Sequence, residues 1–249
     1  MHRFFVPAEA FHEGEVTLPA PVAEQVRRVL RLGPGDEVAV FDGSGAEWTA
    51  TLTSVDRSGA TARLGEPRTP GVEPPVEIAI LLAVVRAERF EMVLQKGTEL
   101  GASRFTPVVS ERVQGGDAAA VSAKRLERWR RIVTEAAEQS GRVIVPQIDE
   151  PLPLQAAIQA AVVGGPVVLL WEEDRSQGLR SALRPVVAAG PSKMALVIGP
   201  VGGLADHEVR AAEEAGAVVA GMGQRVLRTE TAAIAALTAT LYELGLLGG

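Results

Sequence analysis

The stretch LVIGPVGGLADHEV (Leu196–Val209) ends an apolar run in glycines and then opens a helix. GMGQRVLRTETAAIAAL (Gly221–Leu237) repeats the plan, with Arg228, Thr229, Glu230 and Thr231 set into the turn. Each reads as strand, glycine-bracketed corner and helix start. In open α/β sheets, ligands sit beyond the carboxyl ends of strands, so two neighbouring corners of this kind define a candidate socket. Gly199, Gly202 and Gly203 let main chain approach a ligand, Pro200 stiffens the first bend, and Gly221 and Gly223 free the second. Two ordinary tight turns would carry the same glycines. Neither corner is a Walker loop, since no Gly-Lys-Ser/Thr follows, and neither has the G-x-G-x-x-G spacing.

Upstream of the corners the chain alternates in type. VEIAILLAVV, from Val76, is a continuous apolar run suited to a buried parallel strand. RAERFEMVLQKGTELG follows as a helix with Phe90, Val93, Leu94 and Gly97 on one face. RFTPVVS, VIVPQI, PVVLLW and KMALVIG read as strands. SAKRLERWRRIVTEAAEQSG, LPLQAAIQAAVV and GLRSALRPVVAAG read as helices between them, the first with Leu126, Trp129, Val133 and Ala136 inward. DHEVRAAEEAG follows with Asp206 as the expected N-cap, then the strand AVVAGMG and the closing helix TAAIAALTATLYELG. This alternation predicts an α/β domain with a mostly parallel sheet over residues 73–249.

Residues 1–72 are different. DEVAVFDG and AEWTATLTSV read as short strands around the hairpin signal DGSG (Asp42–Gly45), and GATARLGEP as a further strand. PVAEQVRRVLRLG reads as one helix, with Val22, Val26, Val29 and Leu30 as its apolar stripe and Gly33 at its end. A small barrel-like domain is expected, joined through EPRTPGVEPP (Glu66–Pro75).

The 249 residues carry 25 basic and 31 acidic side chains, a net charge of −6. That excludes a globally basic nucleic-acid binder but not a local basic face. With no Cys and only His2, His12 and His207, no metal site is expected. The N-terminus is too short and polar for a signal peptide, and no apolar run is long enough for a membrane span, so a cytoplasmic protein is the expectation.

LVIGPVGGL with EEAGAVVAGMGQRVLRTETAAIAAL resembles the signature of the SPOUT-class RNA methyltransferases. More narrowly, it resembles the ribosomal RNA small-subunit methyltransferase E family, which methylates N3 of a uridine in 16S rRNA. MHRFFV, VLRLGPGDEVAVFDGSG, FEMVLQKGTELGASRFTPVVSERV and RWRRIVTEAAEQSGRVIVPQI extend the resemblance nearly end to end. It implies an N-terminal PUA-like β-barrel that binds RNA and a C-terminal α/β domain with a trefoil-knotted parallel sheet. It also implies S-adenosylmethionine as cofactor, 16S rRNA of the small subunit as partner, and a homodimer. Two departures stand out. The family usually reads G-P-E-G-G where this chain has Val201, and its usual His before VLR is missing here.

On that resemblance, Ile198, Gly199, Pro200, Gly202 and Gly203 line the cofactor site from the first corner. Met222, Gly223, Val226, Leu227 and Thr229 line it from the second, and Leu170 and Glu172 form a third wall. Glu172 reads equally well as part of a solvated acidic turn with Glu173 and Asp174. Uracil N3 must lose its proton before or during attack, so a base or an anion-stabilising cation is needed. Arg228 is the candidate cation and Glu230 the candidate proton acceptor; a salt-bridged helix start is the other reading of both. His207 reads as an exposed first-turn residue. Phosphate contacts are expected from Arg3, Arg27, Arg28 and Arg31 in the first domain, and from Arg112, Arg131, Gln139 and Arg142 in the second. A basic run such as KRLERWRR is otherwise commonly just a solvated helix face. Loss of turnover on a retained fold, leaving an RNA-binding assembly factor, is the alternative that Val201 raises.

Overall fold

The computed structural model describes residues 1–113, 121–173 and 177–247. The chain divides into two compact units: residues 1–73 with 137–145, and 74–136 with 146–249.

The first unit is a curled six-stranded sheet. Its strands are β1 (Arg3–Phe5), β2 (Phe11–His12), β3 (Glu15–Leu18), β4 (Glu37–Phe41), β5 (Glu47–Val55) and β6 (Ala60–Arg68), in the order β1-β4-β5-β6-β3-β2. Only β1 and β4 pair in parallel. Alternating apolar residues turn one face inward, so Val38, Val40, Ala50, Leu52, Ala60 and Ala62 meet Phe4, Val16 and Val26 in one core. Register shifts in β5 at Trp48/Ala50 and Leu52/Ser54 bend the long strands. The hairpin DGSG forms as expected. Asp42 accepts hydrogen bonds from the Ser44 N–H (2.9 Å) and hydroxyl (2.6 Å), and Gly43 and Gly45 take φ of 87° and 97°.

The helix of this unit departs from the expected stripe. Helix α1 (Ala20–Glu24) runs into a π-helical segment over Gln25–Leu30, which changes the phase of the side chains. Val26 is buried as expected, but Val29 is 71% exposed. The helix stops at Arg31, whose φ of 56° is left-handed, two residues before Gly33.

Residues 137–145 belong to this unit through a charged clasp. Arg142, 4% exposed, pairs through Nη2 with Glu73 Oε2 at 2.7 Å, while Glu73 Oε1 accepts the N–H groups of Val143 and Ile144. Glu138 accepts the Phe5 N–H (2.8 Å), and Arg3 Nη2 donates to the carbonyls of Gly141 (2.9 Å) and Arg142 (3.2 Å). Arg3 also pairs with Glu47, which is 0% exposed and pairs in turn with Arg68. Burial and the neighbouring Arg68 charge lower the Arg3 pKa from its ordinary value.

The second unit is a seven-stranded, all-parallel sheet. It contains β7 (Glu77–Ala83), β8 (Arg104–Val109), β9 (Gln147–Ile148), β10 (Leu152–Pro153), β11 (Val167–Leu170), β12 (Lys193–Ile198) and β13 (Val218–Ala220). The order is β10-β8-β7-β12-β11-β13, with β9 also on β8. The helices are α2 (Ala87–Leu100), α3 (Ala123–Ser140), α4 (Leu154–Gly164), α5 (Leu179–Ala188), α6 (Asp206–Glu214) and α7 (Thr229–Glu243). The apolar strands β7, β11 and β12 fill the centre, as continuous hydrophobic runs require. The expected faces of α2 and α3 are buried, and Phe90 stacks on Trp129 with centroids 4.1 Å apart. Gly97 is needed on α2, because a Cβ there would lie 2.8 Å from the Phe105 ring. The α/β class with its helix-flanked parallel sheet and curled N-terminal sheet is the one the resemblance implied.

Two local expectations are corrected. VIVPQI forms a strand only over Gln147–Ile148. Ala205, not Asp206, holds the N-cap position of α6; Glu208 Oε2 reaches back to accept the Ala205 N–H at 2.9 Å, so the capping carboxylate comes from inside the first turn.

Glu73→Ala strips the buried Arg142 guanidinium of its carboxylate and is expected to cost about 3 kcal/mol. Urea unfolding of the full chain, followed by far-UV circular dichroism, measures this as an earlier transition.

Candidate functional site

Because every strand of the second sheet runs the same way, all its carboxyl ends and the corners that follow them lie on one edge. Three corners from adjacent strands β12, β11 and β13 meet there in a cleft. From β12 come Ile198, Gly199, Pro200 and Val201; from β11, Leu170, Trp171 and Glu172. The corner after β13 supplies Met222, Gly223, Arg225, Val226, Leu227 and Arg228, and the start of α7 supplies Thr229 and Ala232.

Hydrogen bonds between the corners fix this arrangement. The buried Thr229 hydroxyl donates to the Gly199 carbonyl (3.2 Å), tying the second corner to the first. The Gly221 N–H donates to Gln177, and the Gly221 carbonyl accepts the Leu179 N–H, both at 2.9 Å. The Trp171 N–H donates to Ala220 (3.1 Å). Three chain segments far apart in sequence are thus stitched across the strand ends.

The glycines act at particular points. A Cβ on Gly199 would lie 2.9 Å from Leu204 Cγ, so only glycine lets the bend fold onto Leu204. Gly203 has a φ of +71°, and a Cβ there would run into the Glu172 carboxylate. Glu172 therefore rests directly over the first corner. Gly223, at φ +95°, has no neighbour near its missing Cβ and leaves main chain bare.

Of the residues expected to line a cofactor, Leu170, Glu172, Ile198, Gly199, Pro200, Met222, Gly223, Val226, Leu227 and Thr229 are in the cleft wall. Gly202 and Gly203 are not. Gly202 is exposed close to Arg112, and Gly203 is buried beneath Glu172. Sequence reasoning missed Trp171, Val201, Arg225 and Ala232; the first two flank residues that were chosen, and Ala232 falls one helical turn after Arg228. Asp174, weighed with Glu172 in the acidic turn, lies outside the described residues.

The two candidate catalytic residues part company. Arg228 is exposed at the N-terminus of α7 and lines the cleft. Glu230 does not line it. It is in the first turn of α7, whereas Arg228 holds the extended N-cap position before the helix. It is 9% exposed, and its Oε1 lies 3.8 Å from Arg89 Nε of α2. Its burial and the neighbouring Arg89 put Glu230 in the α2–α7 contact.

The expected phosphate contacts also divide. Arg3 and Arg142 are consumed by the clasp of the first unit, and burial denies Arg142 to any polyanion. Arg27 is half-buried, Arg28 pairs with Glu24 at 2.8 Å, and Arg31 ends its helix in the left-handed conformation. Gln139 is exposed, and Arg131 is exposed 3.8 Å from Glu135. Arg112 is exposed and points Nη1 at the carbonyls of Gly202 (3.4 Å) and Leu204 (3.3 Å). Among the described residues no group of His, Asp and Glu could hold a metal ion, and no helix is long and apolar enough to cross a membrane.

Gly203→Ala is expected to cost at least about 1 kcal/mol, from the left-handed φ and the collision with Glu172. Thermal unfolding by calorimetry measures the loss.

A family model described as "RNA methyltransferase domain" matches residues 72–241, and one described as "RNA methyltransferase PUA domain" matches residues 26–65. The chain is 34% identical over 256 aligned residues to the ribosomal RNA small subunit methyltransferase E of Bacillus subtilis, covering 100% of this chain and 99% of that one. Its fold is similar to the crystal structure of a ribosomal RNA small subunit methyltransferase E from Neisseria gonorrhoeae bound to S-adenosyl methionine. There the TM-score is 0.85 at 31% identity, with 97% of both chains covered. A putative methyltransferase from Legionella pneumophila, solved in complex with the cofactor SAM, matches with TM-score 0.85 at 32% identity over 96% of each chain. Two domain models and a relative matched from end to end place this chain in the ribosomal RNA small subunit methyltransferase E family.

Proposed function

We propose that this protein binds S-adenosylmethionine in the cleft and methylates N3 of a uridine in 16S rRNA of the small ribosomal subunit. It acts in the cytoplasm as a homodimer, with the PUA-like unit helping to hold RNA. The observation that carries this reading is the cleft itself, three parallel-strand corners joined by the Thr229–Gly199 hydrogen bond, with a free guanidinium on its wall.

The residues suit the cofactor. Leu170, Ile198 and Leu227 offer apolar surface to a purine ring. Gly199 and Gly223 leave main-chain donors and acceptors within reach of its edge. The Glu172 carboxylate, an acceptor only, suits an ammonium or ribose hydroxyls. When bound, S-adenosylmethionine supplies a methyl group on a sulfonium, open to in-line attack.

The chain's own residues then supply alignment and charge. The Arg228 guanidinium favours a uracil that has given up its N3 proton. Thr229, the next residue, is locked to Gly199, so the Arg228 backbone is held while its side chain reaches the cleft mouth. Support for a dimer is the family resemblance, together with Val226 and Tyr242, both left exposed at the two ends of the α7 region.

One observation favours a second reading. Val201 is 59% exposed on the cleft wall, where its relatives' usual carboxylate is absent. A fold that binds RNA and cofactor but turns over weakly would look the same.

Titration calorimetry with S-adenosylmethionine is expected to give saturable uptake; none would refute the enzymatic reading, and uptake without methyl incorporation would select the assembly factor. Arg228→Ala is expected to lower kcat for methyl incorporation into under-methylated 30S subunits by about a hundredfold. Arg228→Lys should recover part of it. Unchanged turnover in Arg228→Ala would refute the assignment.

A further inference from the structure

Many exposed cations of the second unit stand beside carboxylates, while Arg184 of α5 and Arg210 of α6 are exposed without one among the described residues. On α3, Arg128 pairs with Glu91 at 2.6 Å, Arg130 approaches Glu150 at 3.9 Å and Arg131 approaches Glu135 at 3.8 Å. At the amino-terminal edge of the sheet, Arg104 pairs with Asp149 (2.6 Å) and Lys193 with Glu77 (3.0 Å). These cations already have carboxylate partners.

The carboxyl edge differs. Arg86 follows β7, Lys124 stands in the first turn of α3, Arg112 follows β8, and Arg225 and Arg228 lie in the corner after β13. All five are exposed, and among the described residues none pairs with a carboxylate. Several acids near this edge have other contacts, while Glu88 and Asp206, in the first turns of α2 and α6, and Glu173 after β11 are exposed beside it. Glu208 accepts the N–H groups of Glu111 and Ala205, Glu111 faces His207 at 3.2 Å, Glu230 faces Arg89, and Glu172 covers Gly203.

Local contacts hold the five in a line. Arg125 Nη2 donates to the Val85 carbonyl (3.2 Å), which seats Lys124 beside the exit of β7 and Arg86. Arg112 touches the first glycine corner through Gly202 and Leu204. In sheet order the exits run β8, β7, β12, β11, β13. Arg112 reaches from the β8 exit to the corner after β12, so the cations run from the β7 exit to the β13 exit, three strand spacings of about 4.8 Å or about 14 Å, with the cleft toward one end. The N-termini of α2, α3, α6 and α7 open on the same edge and add their positive dipole ends.

We infer that this strip is the track for the RNA backbone: Arg86 and Lys124 at one end, Arg112 between, and Arg225 at the cleft contact successive phosphates and lead the target base to Arg228. The inference rests on the RNA-methyltransferase reading and names the phosphate contacts of that site. The exposed arginines of α3 are not part of the track, because their charges are already matched.

Filter binding of 16S rRNA to the full-length protein over 50–200 mM KCl tests this. Neutralising one phosphate-binding cation should reduce the log–log salt slope by about 0.7, so Arg86→Gln/Lys124→Gln/Arg225→Gln should lower it by about 2. Arg130→Gln/Arg131→Gln should leave the slope unchanged. Circular dichroism melts check that these surface variants fold, and Arg86→Gln/Lys124→Gln should keep wild-type uptake of S-adenosylmethionine. A triple variant with the wild-type slope, or an equal loss from the α3 pair, would overturn the strip while leaving the methyltransferase reading intact. Wild-type protein that takes up S-adenosylmethionine yet fails to bind 16S rRNA would overturn both the strip and the substrate reading.

Discussion

A single hydrogen bond, from the Thr229 hydroxyl to the Gly199 carbonyl, joins the two glycine corners that make the cleft. It has this leverage because the sheet beneath is all-parallel. Parallel strands put every exit on one edge, and β12, β11 and β13 are immediate neighbours there, so residues about 50 positions apart in sequence become walls of one cavity. The glycines then let those walls close. Gly199 folds onto Leu204, and Gly203 leaves room for the Glu172 carboxylate brought in from β11. A side chain at either point would open the corner that the hydrogen bond holds shut.

Charge is distributed by the same topology. The first unit spends its conspicuous arginines internally: Arg3 binds carbonyls of the 137–145 segment and the buried Glu47, and Arg142 of that segment binds the half-buried Glu73. In the second unit, α3 sets Arg128, Arg130 and Arg131 of its basic run beside neighbouring acids. Five exposed cations with no carboxylate partner among the described residues gather at the strand exits, where the helix N-termini also point. An acidic protein with a net charge of −6 can in this way still offer a polyanion one local positive edge.

Most of the architecture is legible in the sequence because burial leaves a periodic mark. The apolar runs of β7, β11 and β12 and the stripes of Phe90, Val93, Leu94 and Leu126, Trp129, Val133 carry it plainly. The glycine corners are legible for a related reason: close approach and left-handed φ leave few alternatives to glycine. What the sequence hides is pairing across distance. Nothing local marks Arg142 as the partner of Glu73, or turns Glu230 toward Arg89 and out of the cleft. The π-helical winding of Gln25–Leu30, which exposes Val29, likewise has no composition signal of its own. Arg225, Val201 and Trp171 lie within the same strand and corner stretches, but only the fold shows that their side chains join the cleft wall.

Mapping by mass spectrometry of the nucleoside methylated when the protein is incubated with S-adenosylmethionine and under-methylated 30S subunits tests the central claim most directly. The account predicts 3-methyluridine at one position in 16S rRNA. Methyl transfer to another atom or another RNA, or no transfer by protein with a filled cleft, would contradict it.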